Sequence, residues 1–265
     1  MIAMWVLAVL ATSALFAPWI NEFVLGVGAD KIDVDKRFLG HSVGNWLGTD
    51  QYGRDLLARI LVGARVSLTV GVSVVIIGSI LGLAYGLIAA YTGGLVDSAM
   101  MRVVDTLLAI PTFYIILAVA AMRRVTLTEV ILFIALTSWM GTARLVRGEV
   151  LSLKEREYVL AANALGAGPL RTMLRHIMPG VMPVIIVGAT LGVGGAIMAE
   201  SALSYLGVGI QEPLASWGSL LKAAAGYVYS SQQLAIYPGL MIMFTVLSLN
   251  FIGEGLREAL DPRFY

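Results

Sequence analysis

Cysteine is missing from all 265 residues, and histidine occurs only as His41 and His176. The first absence excludes disulfides, thiol nucleophiles and cysteine-ligated metal centres. The two histidines fall in different expected compartments, so they do not converge on a metal ion and no metal site is expected. Charge is scarce as well: 13% of residues are charged, against about 25% in an ordinary soluble domain. Lysine stands only at 31, 36, 154 and 222, never after a glycine. The chain therefore lacks the Gly-Lys-Ser/Thr end of a phosphate-cradling loop and cannot supply its own ATPase site. A net charge of +1 without any basic run gives no groove for nucleic acid. Asp30, Asp33 and Asp35 miss the spacing of a calcium loop and have no glycine for its turn, so they read as a solvated loop.

What is abundant is apolar surface. Hydrophobic residues make up 58% of the chain and the mean hydropathy is +0.86. Long apolar stretches alternate with short polar ones, as expected of a chain whose main solvent is lipid. Six segments are long enough to cross a bilayer, at residues 2–20, 66–91, 101–122, 127–147, 180–207 and 234–256. They lack the period-two alternation of barrel strands. The fold class is thus all-α, a polytopic membrane protein with about six transmembrane helices. The chain divides into a first span (1–20), an external loop (21–65), a membrane core (66–256, with a polar loop at about 148–179) and a tail (257–265). The first span has no basic residue before Lys31, so it reads as a retained helix, with a short cytoplasmic lead missing, and not as a cleaved signal peptide.

Orientation is not legible from charge. With the N-terminus inside, nine basic residues fall on each side, and the positive-inside rule is balanced. The helices carry small residues at every fourth position, at Gly78, Gly82 and Gly86 and again at Gly188 and Gly192, which lets backbones approach closely. Pro111 and Pro238 lie inside expected spans and predict kinks.

Residues 154–179, KEREYVLAANALGAGPLRTMLRHIMP, predict two short amphipathic helices with a sharp break. Tyr158, Ala161, Ala162 and Leu165 share one helix face. Gly166 stands where a C-terminal glycine cap belongs and Pro169 where a first-turn proline belongs. Leu170, Met173, Leu174 and Ile177 repeat the pattern, with Arg171, Arg175 and His176 on the polar side, and Pro179 closes the segment. Such an elbow serves either as a docking surface or as an interfacial pair resting on lipid headgroups. Elsewhere, residues 50–65 predict a short amphipathic helix outside the membrane, with Leu56, Leu57, Ile60 and Leu61 as its stripe and Arg54 and Arg59 beside it. Two carboxylates fall at membrane depth. Asp105 has Arg102 three residues before it as a partner. Glu200 is a functional candidate by position, though a buried hydrogen bond ordering a helix end suits it better.

The elbow resembles the cytoplasmic EAA loop of ABC importer permeases. Leu160, Ala161 and Ala162 occupy the Glu-Ala-Ala triplet, Gly166 the glycine and Pro179 the proline thirteen residues later. Leu160 departs from the usual glutamate, which removes any salt bridge from that position and leaves the spacing intact. LGTDQYGRDLLARILVGARVSLTVG (residues 47–71), AESALSYLGVGIQEPLASWGSLL (199–221) and GEGLREALDPRFY (253–265) resemble, in the same order, stretches of dipeptide and oligopeptide permeases of the C-type. The resemblance covers most of the chain from Leu47 onward.

What that resemblance implies is a non-catalytic permease subunit in the cytoplasmic (inner) membrane of a prokaryote, with both termini cytoplasmic. Its partners would be a B-type permease, two cytoplasmic ABC ATPase subunits that carry ATP and Mg, and an external solute-binding protein. The elbow would be the coupling helix that docks on an ATPase, and residues 50–65 would lie near the binding-protein surface. Nickel and glutathione importers share the pattern and remain open as alternatives to di- and oligopeptides. From other classes, an intramembrane enzyme would need more catalytic groups than Asp105 and Glu200, and a secondary transporter would leave the elbow unexplained and show inverted repeats, which are not seen.

Overall fold

A computed structural model describes residues 1–122 and 125–260. It is helical, with no strand among the described residues. Helix α1 (Ile2–Leu15) bends by 65° into a short helical segment, Ala17–Val24. After a long irregular loop come α2 (Leu56–Thr92), α3 (Gly94–Ala109), α4 (Thr112–Met122) and α5 (Leu127–Lys154). The elbow helix α6 (Glu157–Ala164), the long α7 (Pro169–Tyr205), the short α8 (Trp217–Ala225) and α9 (Gln233–Leu260) complete the chain. Four helices, α2, α5, α7 and α9, are long and apolar enough to span a membrane alone, and two bent pairs bring the total to as many as six.

Three boundaries differ from expectation. The amphipathic stretch at 50–65 and the second span are not separate elements, because α2 runs unbroken from Leu56 for 37 residues. Asp55 caps it, its side chain accepting from the Ala58 N–H at 2.8 Å, as a helix N-terminus requires. Leu56 and Ile60 pack with Ala215, Leu220 and Leu234 instead of lying on lipid. At about 1.5 Å per residue such a helix is about 55 Å long, so one end must project beyond a hydrocarbon core of about 30 Å.

The third expected span is two helices bent by 64°, not one kinked helix. The ring of Pro111 drives Ile110 into an extended conformation (φ −88°, ψ 128°), the restriction a proline imposes on its predecessor. Finally, Pro179 does not close the elbow. It lies inside α7, directly after wide π-type turns at Thr172–Ile177. A proline has no N–H to donate to the preceding turn, and the wide turn absorbs that gap without ending the helix. Pro238 likewise sits within α9, which continues to Leu260. Part of the expected tail at 257–265 lies outside the described residues.

Along the C-terminal half of α2, small residues face the bundle and large ones face outward. In α2 the buried positions include Gly78, Gly82, Gly86, Ala89 and Ala90, while Ile76, Ile80 and Ile88 point outward. Lipid tails are as apolar as leucine, so burying leucine between helices gains little there, whereas close backbone packing gains dispersion contacts. A methyl added at Gly82 would stand 2.5 Å from Thr142 Cβ and 2.8 Å from the Trp139 carbonyl oxygen of α5. At Gly86 it would press on the Ala143 carbonyl oxygen and stand 2.8 Å from Val146 Cβ.

Two alanine substitutions separate this packing from helix propensity. At Gly141 an added methyl meets nothing within 4 Å, so Gly141→Ala is expected to stabilise by up to about 1 kcal/mol. Gly86→Ala is expected to destabilise by about 1–3 kcal/mol. Thermal unfolding of the purified protein in mild detergent, read against the parent, checks that the two shifts have opposite signs.

Candidate functional site

The two ends of α2 carry different chemistry. At its C-terminal end lies the elbow. α6 stops in a Schellman turn: the Ala167 N–H donates to the Ala162 carbonyl and the Gly166 N–H to that of Asn163, each at 3.0 Å. Gly166 takes φ +86° to close it, a conformation that side chains with a Cβ avoid. Gly168 then leads into Pro169 at the first turn of α7, and the Thr172 hydroxyl donates to Asn163 Oδ1 at 2.9 Å, tying the two arms together.

What anchors this elbow differs from the expected stripe. Val159 and Ile177 are its buried apolar anchors, packed with Leu87 and Ala90 of α2, Val150 and Leu153 of α5, and Val181 of α7. The face of Tyr158, Ala161 and Leu165 turns outward, with Leu165 at 89% exposure, and Ala162 is half-buried. Leu160, Leu170 and Leu174 are exposed as well, so the second arm keeps only Met173 and Ile177 of its four expected apolar contacts inside. Arg171 and Arg175 are exposed and His176 is half-buried. The elbow is therefore rigid in its backbone, anchored by two residues and apolar on its free side.

At the opposite end of α2 sits a charged network that sequence reasoning missed. Arg54 and Arg59 do not flank an amphipathic helix; they are 4% and 1% exposed. The Arg54 guanidinium donates to Asp50 at 2.7 Å and to both oxygens of Glu212 at 2.8 and 3.1 Å. Arg59 donates to Glu212 at 2.9 Å, to the Pro213 carbonyl at 3.1 Å, and pairs with Asp30. Asp33 pairs instead with Lys36 at 3.1 Å. The network thus joins the loop before α2 to the loop before α8. Burial works against the Glu212 carboxylate, but hydrogen bonds and charge from Arg54 and Arg59 outweigh it and hold Glu212 below its usual pKa. Burial likewise opposes the Arg54 cation, and Glu212 with Asp50 outweigh it, leaving Arg54 above its usual value. The available signal was Arg59 itself, an arginine placed between Leu56 and Ile60 of an apolar stripe, where only a carboxylate partner makes burial tolerable.

Glu200 is fully buried and surrounded by hydroxyls. Ser204 donates to it at 2.6 Å and Ser67 at 3.3 Å. Each of these serines in turn accepts a backbone N–H, Ser204 from Ile210 of the loop at 2.9 Å and Ser67 from Trp217 at the start of α8 at 3.2 Å. The carboxylate thereby orders the chain between α7 and α8, the helix-end role expected for it. Asp105 does not pair with Arg102; its partner is Arg144 of α5. His41 is engaged by the Trp46 carbonyl and the Tyr237 hydroxyl. Midway along the bundle, a cleft of about 290 Å³ opens between α2, α5 and α7, lined among others by Gly78, Ser79, Ser138, Thr142, Gly188 and Gly192.

Comparison with known proteins decides what this arrangement belongs to. The family described as binding-protein-dependent transport system inner membrane component matches residues 82–264. The chain belongs to this family. It is a multi-pass membrane permease subunit of the ABC importer type, similar to C-type peptide permeases. The oligopeptide transport system permease protein OppC of Bacillus subtilis (strain 168) is 36% identical over 263 residues, covering 99% of this chain and 85% of that protein. The glutathione transport system permease protein GsiD of Pectobacterium atrosepticum is 39% identical over 231 residues, covering 87% and 77%. The dipeptide transport system permease protein DppC of Bacillus subtilis (strain 168) is 36% identical over 264 residues, covering 99% and 81%. In fold, the chain resembles the inward-facing MetNI methionine ABC transporter, with TM-score 0.63 and 17% identity over 78% of this chain and 98% of that one.

The loop network of this permease has a pH signature. Because the folded-state pKa of Glu212 is depressed, its contribution to stability is full above the unfolded value of about 4.3 and is lost as pH falls through the folded value. Glu212→Gln is therefore expected to unfold at a lower temperature than the parent at neutral pH. The difference should shrink as pH drops below about 4.3, which paired melting curves across acidic buffers would read.

Proposed function

We propose that this permease imports di- and oligopeptides, pairing with a B-type permease to enclose the path and using ATP hydrolysed by two separate cytoplasmic ATPases. The observation that carries the reading is the elbow: a backbone-locked turn, anchored by Val159 and Ile177, whose free face is the apolar set Tyr158, Leu160, Leu165, Leu170 and Leu174. An exposed apolar patch rimmed by Arg171 and Arg175 is costly in water and marks a protein contact. Here that contact is an ATPase groove. In this reading the elbow end of α2 is cytoplasmic, both chain termini are cytoplasmic, and the Arg54–Glu212 network faces the external solute-binding protein. ATP and Mg bind the partner ATPases, and this chain catalyses no step itself.

The cycle this reading implies is alternating access. ATP closes the two ATPases and draws the coupling elbows of the two permeases together. The helices attached to them then open the path outward to a loaded binding protein, and hydrolysis resets the inward state. The cleft between α2, α5 and α7 contains hydroxyls and glycines but no charged side chain, which suits a path that does not sort peptides by side-chain charge. Glutathione, a small peptide, is the second reading, supported by the similarity to GsiD.

Co-purification from mild detergent tests the assignment. Leu165→Asp with Leu170→Asp alters side chains that are 89% and 65% exposed, so folding and the partner permease should be retained while the ATPases are lost. Gly166→Val, forced into a left-handed backbone at a cost of about 1–2 kcal/mol, should insert normally and weaken the same contact. If the parent chain purifies alone and moves peptide into liposomes without ATP, the assignment is wrong.

A further inference from the structure

The elbow begins directly after the C-terminal end of α5, and the C-terminal half of α5 grips its neighbours through one basic face. Arg144, Arg147 and Lys154 fall within about a quarter turn of one another at 3.6 residues per turn. Arg147 makes a two-pronged contact with Asp97 of α3, at 2.6 and 2.7 Å. Arg144 pairs with Asp105, two turns further along α3. Lys154, the last residue of α5, donates to the Ala90 and Tyr91 carbonyls at the end of α2, both at 2.9 Å. A cation at a helix C-terminus meets both orphan carbonyls and the negative end of the helix dipole.

These contacts bear on α3, which continues from α2 through Gly93 but buries few of its own side chains. Only Asp97 and Val104 of its sixteen residues are buried, and Leu95, Val96 and Val103 are exposed. Among the described residues, one further side-chain tie reaches it from α2, the Tyr85 hydroxyl donating to the Met100 carbonyl at 2.9 Å. Apolar packing against lipid gains little for helix association, whereas a forked arginine–carboxylate pair fixes distance and orientation together. Displacement of α5 thus reaches α3 directly through Arg147 and Arg144, beside the route along α2, which leads into α3 at Gly93.

We propose that Arg144, Arg147 and Lys154 are positioning residues that make α3 and the C-terminal end of α2 move with the elbow as one body, carrying the ATPase stroke into the membrane. The role rests on the importer reading above and adds the residues that transmit its motion. It predicts a rigid separation between elbow and α3 in every nucleotide state, and a loss of that rigidity when the basic face is cut, with the elbow still docked and still driven.

Spin-label distances in the complete importer, reconstituted in nanodiscs, read this directly, and the absence of native cysteine in this chain allows labels at chosen sites. One pair, Glu157→Cys with Val43→Cys, spans the first turn of the elbow helix and the far loop, at two exposed side chains that lie outside the apolar docking face. The other, Glu157→Cys with Leu95→Cys, spans the elbow and the first turn of α3. On adding ATP and vanadate, the first distance is expected to shift and the second to stay constant. In Arg147→Gln, and in the milder Arg144→Gln/Lys154→Met, the second distance should become nucleotide-dependent while the first still shifts. Reversing the pair as Asp97→Arg/Arg147→Asp should restore constancy, which a general loss of stability would not do. A second distance that shifts with nucleotide in the parent overturns the proposal, as does one that stays constant in both cut variants. If the first distance does not respond to ATP with the ATPases bound, the importer reading fails and the transmission role falls with it.

Discussion

The contact on which the rest of the molecule depends is the seam between α2 and α5, where Gly82 and Gly86 meet Trp139, Thr142, Ala143 and Val146 with no room for a methyl. In lipid the usual gain from burying large side chains is absent, so helices associate where their backbones can come close. That seam sets the axial register of the two helices. It brings Lys154 to the end of α2 and seats Val150 and Leu153 beside Leu87 and Ala90, where Val159 of the elbow can join them. At the other end the same register leaves Ser67 of α2 within reach of Glu200 and of the Trp217 backbone. Trp217 closes the layer, fully buried, with its indole N–H donating to the Ile60 carbonyl at 3.3 Å.

Polar chemistry is concentrated at the two ends of this seam and serves different needs. The Arg54–Asp50–Glu212–Arg59 network ties two loops that have few helical hydrogen bonds of their own. Its arginines are buried, and burial of a charge is tolerable only with partners, so the network specifies one arrangement of the loops as much as it stabilises it. At the elbow end, charges join helices to one another through Asp97, Asp105, Arg144, Arg147 and Lys154. The free face of the elbow, by contrast, is apolar. An anchored, apolar projection beside a set of interhelical ion pairs is the arrangement on which the proposed transmission rests.

Much of this was legible before any coordinates. Length and hydropathy identified the apolar spans, the glycines at 78, 82 and 86 identified a close-packed face whereas Gly188 and Gly192 line the cleft, and Gly166 with Pro169 located the elbow because each residue has one conformational use at such a position. The differences have specific causes. Periodicity at Tyr158, Ala161, Ala162 and Leu165 reports an apolar face without reporting what covers it, and here the covered residue is Val159. Arg54 and Arg59 read as surface charges because Glu212 lies more than 150 positions away. Asp105 read as paired to its nearest cation on its own helix, when Arg144 of another helix reaches it.

By itself the sequence determined the membrane solvent, the helical class and the turn at Gly166, since each follows from local composition or from one residue's backbone preferences. Only the tertiary structure decided that α2 is a single helix from Leu56, that Pro111 breaks its span where Pro179 does not, and which charges meet. Those outcomes depend on groups distant along the chain brought within hydrogen-bond range, and no local pattern of residues encodes such a distance.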